Sequence, residues 1–193
     1  CGIPYEHEDL TRYPTMEAKS AAVREINPIG KIPVLTDGDF ILSESMAINL
    51  YLAKKYGRHL WPTGEQEQAR VLQWSFFAVA ELDPPLVQLM IERTFRKEGE
   101  RNVENEKKNA ETVKRPLAAL EGHLATHPWL VASSFSVADL NVAAVLSMAA
   151  GAKQDMTDYP HIQAWLKRCH DRPAYRKATA PKAPWVEVWE SPQ

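Results

Sequence analysis

The sequence predicts a small α/β domain followed by an all-helical domain. Three observations carry this. Two short apolar runs, residues 32–36 and 39–42, meet across Asp37-Gly38, a strong hairpin signal. Residues 58–64, with Pro62 and Gly64, interrupt the pattern as a linker does. From Glu65 onward apolar residues recur at helical spacing and no convincing strand follows. The division is therefore 1–57, a linker at 58–64, and 65–193.

In chain order, residues 2–6 open a strand. Residues 15–26 suit a helix, favoured by Ala18, Ala21, Ala22 and Val23, and Asn27-Pro28 ends it, because the residue before proline is pushed out of the helical region. Pro33 lacks an N–H and belongs at a strand start or an edge. A two-residue turn at Asp37-Gly38 calls for positive φ at both central positions. Ser43 caps a helix over 44–56, with Ala47, Ile48, Tyr51 and Leu52 on one face, and Gly57 closes it in the C′ position.

The second half opens with one helix over 65–82, rich in Leu72, Trp74, Phe76, Phe77 and Val79. Asp83-Pro84-Pro85 interrupts it, with Asp83 capping a continuation that has Pro84 at its first position. Val113, Leu117, Leu120 and Leu124 give residues 104–127 a helical stripe, in which Pro116 marks a kink or a start. Ser136-Val137-Ala138-Asp139 is a capping box with Asp in the Glu/Gln position. Phe135 and Leu140 have the spacing of a hydrophobic staple around it, and the helix runs to about residue 150. A further helix spans 160–170, and Arg172-Pro173 starts a short last one.

Composition narrows the function. The chain has 193 residues, 45% hydrophobic and 25% charged, with 23 basic and 25 acidic residues and a net charge of −2. Those are globular proportions, and the balance gives no electrostatic reason to bind nucleic acid or an anionic membrane. Cys1 and Cys169 form no disulfide framework and no Cys-x-x-Cys pair, which points to a reducing cytosol. Cys169 reads as a buried structural thiol. His123 and His127 sit four apart as zinc ligands can, yet no third ligand is evident, so no metal is expected. There is no Gly-rich phosphate loop and no Gly-x-Ser-x-Gly elbow. The chain starts at Cys1 rather than Met, and reads as a fragment, a processed product or part of a longer chain.

Two segments carry a family resemblance: Asn27-Pro28-Ile29-Gly30-Lys31-Ile32-Pro33-Val34-Leu35, and Leu42-Ser43-Glu44-Ser45-Met46-Ala47-Ile48. With the gap between them they resemble the glutathione-binding segment of the glutathione S-transferases. Phe135-Ser136-Val137-Ala138-Asp139, and Tyr159-Pro160 through Trp165 to Arg172-Pro173, look familial too. The resemblance implies an α/β thioredoxin-like N-terminal domain followed by an all-α C-terminal helical domain. The first strand and helix of the thioredoxin-like domain are not visible, so the N-terminal domain reads as truncated. The family's activating Tyr, Ser or Cys is expected upstream of Cys1.

The resemblance also implies a site. Ser45 and the adjoining backbone would hold the γ-glutamyl carboxylate of glutathione, and Glu44 its amine. From the residues alone, ordinary helix capping by Ser43 or Ser45 is the better reading, and the resemblance reverses that order. Ile32 would pair with the cysteinyl part in strand fashion, ahead of a cis bond at Pro33. Lys31 faces either the glycyl carboxylate or solvent. Trp74, Phe77 and Glu81 recur on one helical face and either line an electrophile pocket or belong to the core. Trp185 and Trp189 either cover the cleft or pack on the surface; Asp83 is a cap or a reach to a partner subunit. Ser136 and Asp139 serve folding.

The implied function is conjugation of the glutathione thiol to a small hydrophobic electrophile in cytoplasmic detoxification, by a homodimer, with glutathione as co-substrate. A cysteine at the activating position would instead favour thiol–disulfide reduction. If the chain is naturally this short, a non-catalytic glutathione-binding or scaffold protein fits better.

Overall fold

A computed structural model describes residues 1–8 and 10–180. The chain divides into two compact units, one of residues 1–58 with the segment from Arg172, the other of residues 59–171. Among the described residues, no helix is long and apolar enough to cross a membrane.

The first unit is built on an antiparallel hairpin, β1 (Val34–Asp37) and β2 (Phe40–Ser43), the one sheet among the described residues. Helix α1 (Met16–Arg24) precedes it, α2 (Ser45–Tyr56) follows it, and α10 (Pro173–Ala178) belongs to the same unit. Thr15 caps α1 by accepting from the Ala18 N–H at 3.1 Å. Residues 2–6 form no strand; among the described residues the one sheet is the β1–β2 hairpin, and residues 2–6 do not pair with it.

The hairpin register differs by one residue from the expected turn. Val34 faces Ser43 and Asp37 faces Phe40, so the two-residue loop is Gly38-Asp39. Gly38 has φ +63 and Asp39 does not share the positive sign; a turn with one left-handed position, its first, takes glycine there. Ser43 is consequently a strand residue, and Glu44 precedes α2 with φ 72 and ψ 113 and no side-chain cap. Gly57 ends α2 at φ −106, donating to Ala53 and Leu52 carbonyls, so it does not use the left-handed region.

The second unit packs α3 (Glu65–Phe77), α4 (Asp83–Met90), α5 (Val103–Thr112), α6 (Lys114–Leu124), α7 (Val137–Leu146), α8 (Met148–Gly151) and α9 (Pro160–His170). The Asp83-Pro84-Pro85 interruption does not break the helix. A π-helical turn over Ala78–Leu82 carries α3 into α4, and Asp83, in right-handed helical geometry, caps nothing. The prolines cannot donate, and the wider turn, closed by the Asp83 N–H on Ala78 O, passes the chain through. The predicted 104–127 helix is two helices parted at Val113, with Pro116 in the first turn of α6.

Leu82, Leu86, Leu89, Leu117, Leu120, Ile162 and Trp165 fill this unit's core. At its centre lies the fully buried Asp139 carboxylate. It accepts from the Leu130 N–H (3.0 Å), the Ser136 N–H (2.9 Å) and hydroxyl (3.0 Å), and the Trp165 indole N–H (2.9 Å). The capping box is formed, and the same carboxylate ties α7, α9 and residue 130 together. Phe135 packs edge-on against Trp129 while Leu140 stays partly exposed.

Candidate functional site

The candidate site gathers at the open end of the hairpin, where β1 begins and β2 ends. Val34 and Ser43 are the last ladder pair there. Ile32 and Pro33 therefore lead into one strand as Glu44 and Ser45 lead out of the other. The Ile32–Pro33 bond is cis, as expected.

Each side offers unmatched backbone. Ile32 is 62% exposed despite its apolar side chain, and its N–H and C=O enter no backbone hydrogen bond among the described residues. Across from it, the first amides of α2 have no intrahelical partner, and the positive end of the helix dipole lies with them. Glu44 and Ser45 are exposed, and the Glu44 carboxylate does not cap the helix. Lys31 is exposed too. One small region thus presents a hydroxyl, a carboxylate, an ammonium, a strand-like N–H/C=O pair and a helix N-terminus.

The loop before the cis bond is held by Asn27, which is 5% exposed. Its Nδ2 donates to Lys31 O at 2.7 Å, and its Oδ1 accepts from the Ile29 N–H at 3.3 Å. Gly30 closes the turn at φ +71, with the Arg24 and Ser20 side chains 3.1 Å from where a Cβ would stand. Sequence reasoning read Asn27 only as a helix terminator; the readiness of asparagine to bond backbone two residues on was the available signal.

A second missed group sits at the closed end of the hairpin. Asp37 Oδ2 accepts from Lys55 Nζ at 2.7 Å, Tyr51 OH at 2.8 Å and Tyr56 OH at 2.9 Å. The bonds from Lys55, Tyr51 and Tyr56 hold the Asp37 carboxyl down at about 2. The i, i+4, i+5 spacing of the three donors was legible; their acceptor was hidden by reading Asp37 as a turn residue.

In the second unit, Trp74 and Phe77 meet edge to face, centroids 5.2 Å apart, both half-buried. The Trp74 indole N–H donates to Leu130 O at 3.1 Å. Glu81 accepts from Arg115 at 2.6 Å. Two of the three predicted pocket residues therefore share one contact and the third has an ion-pair partner. His123 stacks on His127 at 4.3 Å, and among the described residues no cluster of His, Cys, Asp and Glu could hold a metal. Trp185 and Trp189 lie outside the described residues.

Known proteins match along most of the chain. Residues 1–55 match the model of the glutathione S-transferase N-terminal domain, and residues 82–173 that of the C-terminal domain. Glutathione S-transferase 4 of Zea mays is 33% identical over 181 residues, covering 91% of this chain and 81% of that one. Glutathione S-transferase 1 of the same plant is 33% identical over 186 residues, covering 93% and 86%. Among solved structures, the theta class glutathione S-transferase of Xanthomonas axonopodis pv. citri with glutathione bound superposes with a TM-score of 0.77 at 28% identity, covering 84% and 78%. A Burkholderia graminis glutathione transferase with two glutathione molecules per subunit gives 0.78 at 27%, covering 94% and 80%.

Proposed function

The chain belongs to the glutathione S-transferase family, and from that premise we propose that it binds glutathione at the open end of the hairpin and transfers the thiol to a small hydrophobic electrophile. The residues suit the tripeptide group by group. Ser45 and the α2 amides take the γ-glutamyl carboxylate, Glu44 its ammonium, the Ile32 backbone the cysteinyl amide, and Lys31 the glycyl carboxylate. A carboxylate on a helix N-terminus gains both from the free amides and from the dipole. Trp74 and Phe77 are the proposed face for the electrophile, with Glu81 at its rim. The thiolate is the nucleophile: it forms the new C–S bond as the electrophile's leaving group departs, or as the adduct takes a proton. The working form is proposed to be a cytoplasmic homodimer.

The observation that carries this reading is the Glu44 turn. A charged residue with φ 72 and ψ 113 lies outside the regions that non-glycine residues commonly occupy. Such a conformation persists where its geometry is used. Here it sits where β2 passes into α2, and the Glu44 side chain makes no cap hydrogen bond to the helix.

Calorimetric titration with glutathione tests the assignment. Wild type is expected to bind saturably. Ser45→Ala, losing one charge-assisted bond, is expected to bind about tenfold more weakly. Wild type that does not bind, or Ser45→Ala that binds equally, overturns the site.

A further inference from the structure

The carboxylate at the far end of the hairpin bears on the site without touching it. We propose that Asp37 is a positioning residue for glutathione binding, fixing the direction in which the α2 N-terminus faces the ligand. The inference rests on the function proposed above.

The geometry sets the problem. The ligand groups flank the Val34–Ser43 pair, whereas Asp37 faces Phe40 at the other end of the ladder. Three strand steps separate Val34 from Asp37, about 10 Å. Helix α2 joins the hairpin covalently only through Glu44, and its twelve residues extend about 18 Å from that joint. A rod held at one end swings; held at two, it does not. Buried Ile48 and Ala53 seat α2 by non-directional apolar packing, and Asp37 supplies a directional second point. Its Oδ2 gathers Tyr51, Lys55 and Tyr56 from the last two turns of α2. Lys55 Nζ also donates to Tyr51 OH at 2.9 Å, and Phe40 of β2 packs on the Tyr51 ring with centroids 5.1 Å apart.

An isolated surface ion pair would contribute little. Three donors on one oxygen, two of them aromatic hydroxyls on rigid rings, make a more directional clamp. The consequence appears at the opposite end of the helix. Hydrogen bonds weaken steeply with angle, so a small swing of α2 costs ligand affinity before it costs the fold.

The test uses the full chain with Asp37→Asn, which keeps the shape and removes the charge, and Tyr56→Phe, which removes one donor. Glutathione Kd by calorimetry, KM and kcat, and thermal melts are measured for each. Asp37→Asn is expected to raise the Kd and KM for glutathione about 3- to 10-fold. Its kcat at saturating glutathione is expected to stay within about twofold, since the chemical step is not touched. Tyr56→Phe is expected to give a smaller rise in the same direction. A folded Asp37→Asn with unchanged Kd, or with kcat lowered instead, overturns the proposal, because a merely structural role lowers the melt without splitting KM from kcat. If Asp37→Asn does not fold, Tyr56→Phe decides, and an unchanged Kd overturns it. Wild type that fails to bind glutathione overturns the function reading itself, and this proposal with it; binding by wild type with no change in the variants overturns this one alone.

Discussion

At the residue scale, Glu44 sets stability against function. Its backbone, at φ 72, is one that an L side chain adopts at a cost of about 1–3 kcal/mol. Glycine, lacking a Cβ, adopts it at a lower cost but loses more chain entropy on folding, roughly 0.4–1 kcal/mol. Glu44→Gly is therefore expected to leave stability unchanged or to raise it by about 1 kcal/mol, while glutathione affinity falls with the lost carboxylate. Paired melts and titrations check both; a loss of stability would mean the Glu44 side chain holds the fold rather than a ligand. The sequence made the residue types of this site legible, because a hydroxyl and a carboxylate opening a helix suit an amino-acid head group. It did not reveal that Glu44 rather than Ser43 precedes the helix. That difference follows from the hairpin loop lying one residue later, at Gly38-Asp39, which keeps Ser43 in the ladder. Asn27 escaped notice for a related reason: its partners, Ile29 and Lys31, are backbone groups in the next turn, which no side-chain pattern displays.

At the element scale, Asp37 adds a polar tie between the hairpin and α2 to the apolar contacts of Ile48, Ala53 and the Phe40–Tyr51 pair, and acid should loosen that tie. The Lys55, Tyr51 and Tyr56 bonds hold the folded carboxyl at about 2 against an ordinary value of 3.8. A depressed carboxyl stabilises the fold fully above its unfolded value, and the contribution is lost as pH falls through the folded one. Melts from pH 7 to 2 should therefore show wild type more stable than Asp37→Asn by a constant margin above about pH 5, shrinking as pH falls through 3.8 toward about 2. A margin that does not change with pH would place the effect elsewhere. Apolar spacing made the long helices legible where one face is buried, as in α9, bounded at Pro160 and His170 as expected. It did not reveal the passage through Asp83-Pro84-Pro85. Proline signals a stop because it cannot donate, but a π-helical turn needs no donation from it.

At the scale of the whole molecule, apolar burial is uneven. In the hairpin unit the buried apolar side chains among the described residues are Val23, Ile48 and Ala53. The helical unit buries Leu, Val, Ile and Trp side chains from α3, α4, α6, α7 and α9 and adds the Asp139 clasp. A two-stranded hairpin with little covered apolar surface is marginal, and opening free energy follows local burial. Amide exchange is therefore expected to be faster in α1 and α2 than in α4, α7 and α9. Ligand binding should act unequally as well. A ligand held by the folded hairpin unit stabilises it by about 2.7 kcal/mol at a hundredfold excess over Kd. Saturating glutathione should slow exchange in α2 by up to about a hundredfold and leave α7 and α9 nearly unchanged. Equal slowing in all five helices would mean that the two units open as one, and that the ligand's stabilisation spreads through the chain. Slowing confined to α2 and the hairpin would mean that the unit carrying the proposed site is also the one the ligand completes.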